Sequence, residues 1–132
     1  MAIVTWELVR NRPAIRLLLC EPRTGREHSR VLLADTGAGS KIAPFELLLD
    51  EEDCLLYSSQ VGQMTTLSGA YSGEFRVYDV SIRIDDLSEL HGITAVGVDK
   101  TPPGFDGIAG FRFLRRFTYG NFGDSGQFGL ES

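Results

Sequence analysis

The chain has few of the residues that build metal centres or nucleophilic triads. It holds two cysteines and two histidines among 132 residues. Cys20 and Cys54 are isolated, without the C-x-x-C spacing of zinc and redox sites. His28 and His91 lie in separate polar stretches without an H-E-x-x-H motif. We therefore expect no metal and no cofactor, solvated loop histidines, and two buried free thiols in a reducing compartment, with a disulfide as the alternative.

The chain also lacks basic clusters and long apolar runs. Its 18 acidic and 13 basic residues give a net charge of −5, without a block of Lys and Arg, so we expect no nucleic-acid partner. No apolar run approaches the roughly 18 residues of a membrane span. The first residues, MAIVTWELVRNRP, have no basic region before their apolar stretch, unlike a signal peptide. These features predict a soluble, cytoplasmic protein that does not bind membranes.

Apolar residues alternate with polar ones along most of the chain, which is the pattern of half-buried strands. The alternating positions are Val4, Trp6 and Leu8; Ile15, Leu17 and Leu19; and Val80, Ile82 and Ile84. Turn signals separate them at 21–28, 68–73, 100–107 and 123–126, the last as a hairpin. FRFLRRF at 111–117 predicts one short helix, and 43–56 either a short helix or an acidic loop. We predict a single, mostly β domain over residues 1–132, with barrel-like closure.

Two further motifs are only weakly similar to known binding sites. GAGSK at 37–41 has the order Gly-Ser-Lys, whereas a phosphate-binding loop needs Gly-Lys-Ser/Thr, so we discard that interpretation. The acidic stretch DEED at 50–53 lacks the alternating oxygen ligands and the glycine of a calcium loop. A solvated acidic face is the better prediction for that stretch.

One acidic residue needs a chemical explanation. In LLADTGAGSKIAP, Asp35 follows the apolar residues 31–34, which indicate the end of a buried strand, and precedes a glycine-rich turn. A buried strand end is a poor place for a solitary charge. A second stretch, FDGIAGFRFLRRF at 105–117, also runs through a short apolar strand, then Gly110 and a helix.

Four segments in order, LLADTGA, TLSGAYSGEFRVYDVSIRI, GIAGFRFL and SGQFGLES, resemble the single-domain, retropepsin-like aspartic proteases. The resemblance covers roughly 100 residues, the size of one ordinary domain. It implies a closed acid-protease barrel in which Asp35 is catalytic. Two carboxylates in contact share one proton, so that one activates a water and the other acts as an acid. Since the chain has one Asp-Thr-Gly, the second carboxylate would come from a second chain, in a homodimer that hydrolyses polypeptides.

The same resemblance assigns supporting residues. Around Asp35 they are Thr36, Gly37 and Ala38, with Thr36 bonded to its mate and Gly37 leaving room for substrate. The glycine-rich tip at 68–73 is the expected flap over an extended peptide. Its residues are Ser68, Gly69, Ala70, Tyr71, Ser72 and Gly73, and Ile108 and Gly110 form the floor.

Some positions depart from the family pattern. Gly39 and Phe111 stand where many retroviral members carry an Asp and an Arg that pair and help to order the dimer. We expect the nearby Arg112, Arg115 and Arg116 to form a solvated helix face. The chain ends, AIVTWELV and QFGLES, would pair between subunits, because their apolar alternation otherwise leaves an open strand edge.

Two alternatives to a peptidase stay open. One is a non-catalytic peptide-binding or assembly module on the same fold, since a turn aspartate can be structural. The other is a monomeric β-barrel fragment of a larger assembly, in which Asp35 only caps backbone amides.

Overall fold

The computed structural model describes residues 2–39, 43–87 and 89–132. These ranges are mostly β, with 54% strand and 9% helix, which confirms the predicted class. The strands are β1 (Ile3–Glu7), β2 (Ala14–Cys20), β3 (Glu27–Ala34), β4 (Leu47–Asp50), β5 (Ser58–Leu67), β6 (Gly73–Arg83), β7 (Glu89–Val98), β8 (Gly107–Ala109), β9 (Thr118–Gly120) and β10 (Gln127–Glu131). The helices are α1 (Glu51–Tyr57) and α2 (Phe111–Leu114).

Six strands close into a barrel in the order β2-β3-β8-β4-β7-β6, and β6 returns to β2. Closure depends on the length of β6. Its residues 73–80 pair with β5, and residues 81–83 pair with β2 in the register Leu18↔Arg83 to Cys20↔Ser81. The sequence therefore predicted barrel closure correctly, and β5 extends from the ring as one arm of a hairpin.

The alternating residues of β2 and β6 fill the barrel. Ile15, Leu17 and Leu19 are buried, whereas Arg16 between them is exposed. Val80, Ile82 and Ile84 are buried in the same way. A second cluster packs on the other side of β8 and β4, with Phe45, Leu48, Leu67 and Ile108 among its members. Burying these side chains is the main favourable free energy of such a domain.

The helix predicted near the C-terminus is present as α2, and the second helix, α1, agrees with the helix alternative for the end of 43–56, whereas residues 47–50 form β4. Asp50 caps α1, because its Oδ1 accepts a hydrogen bond from the Glu52 amide at 2.9 Å. The acidic stretch is not a uniformly solvated face. Asp53 pairs with Arg30 at 2.8 Å, and the Tyr78 hydroxyl donates to the Glu51 carboxylate. Acidic side chains in a first helical turn also stabilise the helix through its dipole.

The two chain ends pair with each other within one chain. β1 and β10 run antiparallel from Ile3↔Glu131 to Glu7↔Gln127, and β9 covers the other edge of β10. The predicted C-terminal hairpin is therefore present as β9–β10. The intersubunit sheet was predicted because the strands at the chain ends would otherwise have open edges. Pairing within one chain covers both edges of β10 and one edge of β1.

The cysteines and histidines differ in part from expectation. Both cysteines are free, but only Cys54 is buried, and Cys20 is partly exposed. His28 and His91 are exposed as expected, but they lie in β3 and β7 rather than in loops. Across residues 2–39, 43–87 and 89–132, neither helix is long and apolar enough to cross a membrane.

Candidate functional site

Asp35 lies at the point where two parallel strands end side by side. β3 and β8 pair through Leu33↔Ile108 and Ala34↔Ala109. The Asp35 amide then donates to the Ala109 carbonyl at 3.0 Å and ends the ladder. The apolar strand before Asp35 is thus anchored in the barrel, and the carboxylate emerges at its end, partly buried.

A tight turn fixes the Asp35 carboxylate. Its Oδ1 accepts a hydrogen bond from the Gly37 amide at 2.9 Å, and its carbonyl accepts one from Ala38 at 3.1 Å. A Cβ atom on Gly37 would lie 3.3 Å from Oδ1, a close contact. Thr36 is exposed in this turn. The arrangement holds the acid on rigid backbone rather than on a mobile side-chain network.

Gly110 supports this turn from behind. The Gly110 amide donates to the Glu46 carbonyl at 2.9 Å, and the Phe111 amide donates to the Ala38 carbonyl at 3.0 Å. A Cβ on Gly110 would meet the Ala38 carbonyl oxygen at 2.8 Å, so only glycine fits there without a shift. The motif glycine therefore brings α2 close to the Asp35 turn.

A pocket of about 520 Å³ opens beside Asp35. Its lining includes many of the predicted site residues: Asp35, Gly37, Ala38, Ser68, Gly69, Ala70, Tyr71 and Ile108. The lining does not include Thr36, Ser72, Gly73 or Gly110. The phosphate-loop interpretation, which was discarded, involved Ser40 and Lys41. These two residues lie outside the described residues.

The glycine-rich tip joins β5 to β6, whose last pair is Leu67↔Gly73. Its first four residues lie along the pocket. Burial raises the pKa of Tyr71, and the negative charge of Asp99 raises it further. The phenol is therefore protonated at neutral pH and able to donate a hydrogen bond at the pocket edge.

Seven residues that line the pocket were not predicted from the sequence. The unpredicted lining residues are Gly39, Ala43, Pro44, Phe45, Leu48, Thr66 and Leu67. We assigned 43–56 to a helix or loop, but Phe45 and Glu46 lead into β4, which pairs with both β7 and β8. A strand with neighbours on both sides and both faces covered has a continuous apolar run rather than an alternation. The run FELLL was the available signal.

Of the three arginines that follow Gly110, Arg116 is exposed as expected but pairs with a buried acid, and Arg112 is partly buried. Arg116 Nε lies 2.5 Å from Oε1 of Glu46, a carboxylate that is only 2% exposed. Arg112 Nη1 donates to the Ala43 carbonyl at 3.0 Å. Arg115 is exposed, as expected. Two of the three arginines therefore hold the segment that forms the pocket wall.

A separate group of polar residues lies near Glu27, at the end of β3 away from Asp35. Ligand atoms of Cys20, Glu27 and Glu89 lie within 4.8 Å of one another. Arg83 already binds Glu27 through two nitrogens, at 2.7 and 2.9 Å. Burial, followed by the charges of Glu27 and Glu89, raises the pKa of Cys20, so its thiol stays protonated at neutral pH. This chemistry suits an ion-pair network better than a nucleophile.

Comparisons of the chain with protein-family models, curated proteins and solved structures find no match.

Proposed function

We propose that the protein is an aspartic endopeptidase that acts as a homodimer. The observation that carries the proposal is the place of Asp35: a carboxylate fixed by a tight turn at the end of paired strands, in a pocket beside a hairpin tip. An ionisable group held on rigid backbone in a partly apolar pocket is the usual form of a catalytic acid or base. The retropepsin-like fold and the flap role of residues 68–73 belong to the same proposal.

The chemistry requires two carboxylates. In the dimer, Asp35 and the Asp35 of a second chain share one proton, because both cannot stay ionised in contact. The ionised carboxylate takes a proton from water, which attacks the peptide carbonyl, and the protonated one donates to the carbonyl oxygen. Thr36 is exposed in the turn and available to the second chain. The sequence has one Asp-Thr-Gly, at residues 35–37, so a single chain supplies half of the site.

The pocket favours an extended, apolar substrate. Its walls include Phe45, Leu48, Leu67 and Ile108, each of which is 9% exposed or less. Bulky apolar side chains on both sides of the cleaved bond would fill such a space. The hairpin tip offers backbone groups that hold an extended peptide by strand-like pairing.

The test is the substitution Asp35→Asn with Asp124→Asn as its control. Asp124 Oδ1 accepts from the Gly126 amide at 2.8 Å, which is the turn geometry of Asp35, but Asp124 does not line the pocket. Asn121 already makes this turn bond with an amide oxygen, to Gly123 at 3.0 Å. We therefore expect both variants to fold and only Asp35→Asn to lose cleavage of a peptide library.

A non-catalytic peptide-binding module is the second candidate. The observation in its favour is the same turn at Asp124, since this chain also places an aspartate in such a turn away from the pocket. If the wild type binds library peptides and cleaves none between acid and neutral pH, the module replaces the peptidase. If Asp35→Asn cleaves as fast as the wild type, the aspartic mechanism is wrong.

A further inference from the structure

We propose that Arg112 and Arg116 are positioning residues that set the width of the substrate pocket through residues 43–46. This inference rests on the proposed function and deepens it. Neither arginine lines the pocket. Arg112 contacts Ala43 and Arg116 contacts Glu46, and residues 43–45 form part of the pocket wall.

The Arg116 end is an ion pair between a guanidinium that is 40% exposed and a buried carboxylate. Arg116 Nε lies 2.5 Å from Glu46 Oε1, and the Thr94 amide donates to Glu46 Oε2 at 3.2 Å. Both carboxylate oxygens are therefore satisfied although Glu46 is only 2% exposed. A buried carboxylate that loses its cation is strongly disfavoured. Removing the guanidinium would force Glu46 to move toward water, and the wall would move with it.

The Arg112 end is a hydrogen bond to backbone. Arg112 Nη1 donates to the Ala43 carbonyl at 3.0 Å, and Ala43 lines the pocket. Pro44 and Phe45, between the two anchored residues, also line it. Both arginines follow Gly110, whose close approach to the Ala38 carbonyl ties α2 to the Asp35 turn. The two arginine side chains thus connect the pocket wall at residues 43–46 to the turn that carries Asp35.

This arrangement predicts an effect on substrate binding rather than on proton transfer. The Asp35 carboxylate is held by the Gly37 amide, a bond that neither arginine touches. A looser wall weakens contacts that substrate and transition state make equally, which raises KM and leaves kcat unchanged. We expect Arg112→Gln and Arg116→Gln to raise KM for an apolar library peptide about tenfold, with kcat within about twofold.

The chain offers a matched control and a rescue. Arg115 is exposed, and its side chain makes no hydrogen bond or ion pair within residues 2–39, 43–87 and 89–132, so Arg115→Gln should keep the wild-type KM. Arg116→Lys keeps a cation near Glu46 and should restore part of the lost affinity. Hydrogen exchange at the Thr94 amide should be faster in Arg116→Gln than in Arg115→Gln, because its acceptor is Glu46.

The outcomes separate this inference from the proposed function. If the wild type cleaves and all four variants share its KM, or if kcat falls at constant KM, the positioning role is wrong. If the wild type cleaves nothing, the proposed function fails before any variant is compared, and the inference fails with it. If Arg116→Gln does not fold, as a melting curve would show, Arg112→Gln decides, because it loses only a bond to a carbonyl.

Discussion

Asp35, Asn121 and Asp124 each accept a hydrogen bond from the amide two residues later, at 2.8 to 3.0 Å. Such turns tolerate an amide as well as an acid, as Asn121 shows. Turn formation therefore does not explain why position 35 carries a carboxylate. The difference between the three residues is their surroundings, since only Asp35 lines the pocket beside the hairpin tip.

Gly110 allows a sharp test at the same scale. A Cβ there would lie 2.8 Å from the Ala38 carbonyl oxygen and 3.0 Å from the Phe45 ring, so Gly110→Ala must displace the Asp35 turn. We expect a loss of about 1–3 kcal/mol in the free energy of unfolding and a large fall in cleavage. In Gly126→Ala the new Cβ would be 3.4 Å from Asp124 Oδ1, so this control should melt close to the wild type. Equal melting temperatures and rates for both variants would contradict this account of Gly110.

The raised pKa of Tyr78 predicts that the free energy of unfolding depends on pH. Burial, then the hydrogen bond to Glu51, raises the pKa of Tyr78 from 10 to about 12. Because the folded-state value lies above the unfolded one, the stabilisation is complete below pH 10 and is lost as the pH rises through 12. Denaturant titrations across this range should show the alkaline fall in the wild type and a weaker one in Tyr78→Phe. The partly buried Tyr119→Phe is the control, and an unchanged slope in Tyr78→Phe would refute the assignment.

Among the elements, α1 is the connection between β4 and β5. Its start depends on Asp50, which caps the Glu52 amide at 2.9 Å. We expect Asp50→Ala to cost about 1 kcal/mol of unfolding free energy. Glu52→Ala removes an exposed acid from the same turn without removing the cap, and should cost less. Chemical denaturation measures both, and equal losses would mean that the cap is unimportant.

The strands and the missed elements differ in the physical signal that each leaves in the sequence. Strands with one covered face, β2 and β6, leave an alternation, and the sequence predicted them. β4 is covered on both faces, so its sequence has the continuous apolar run LLL, which is also compatible with a helix. Because β4 was not predicted, the pocket-lining residues Phe45 and Leu48 were not predicted either. The contacts of Arg112 and Arg116 could not be predicted from the sequence, because their partners, Ala43 and Glu46, are about 70 residues away along the chain. Asp35 and Gly110 were selected by the resemblance to a known motif, and the structure shows a tight turn at the first and close packing at the second.

In the molecule as a whole, Asp35 is the one carboxylate among the described residues that line the pocket. Residues of β1, β10 and β9 form a sheet beside the barrel, and the outer edges of β1 and β9 are unpaired within the part of the chain that the structure describes. The proposed dimer must bring two Asp35 turns together, and the unpaired edges are available to its interface. Cleavage should therefore depend on the concentration of the chain. Dilution should lower the activity per chain, and a constant value down to nanomolar concentration would argue for a site within one chain.

Mixing wild type with Asp35→Asn tests whether each active site needs the Asp35 carboxylates of two chains. The two proteins are combined at constant total concentration, refolded together so that chains exchange, and assayed for peptide cleavage. If each site needs two Asp35 carboxylates, activity falls as the square of the wild-type fraction, to about a quarter at equal amounts. A linear fall, to about half, would show that one chain carries a complete site and would contradict the account.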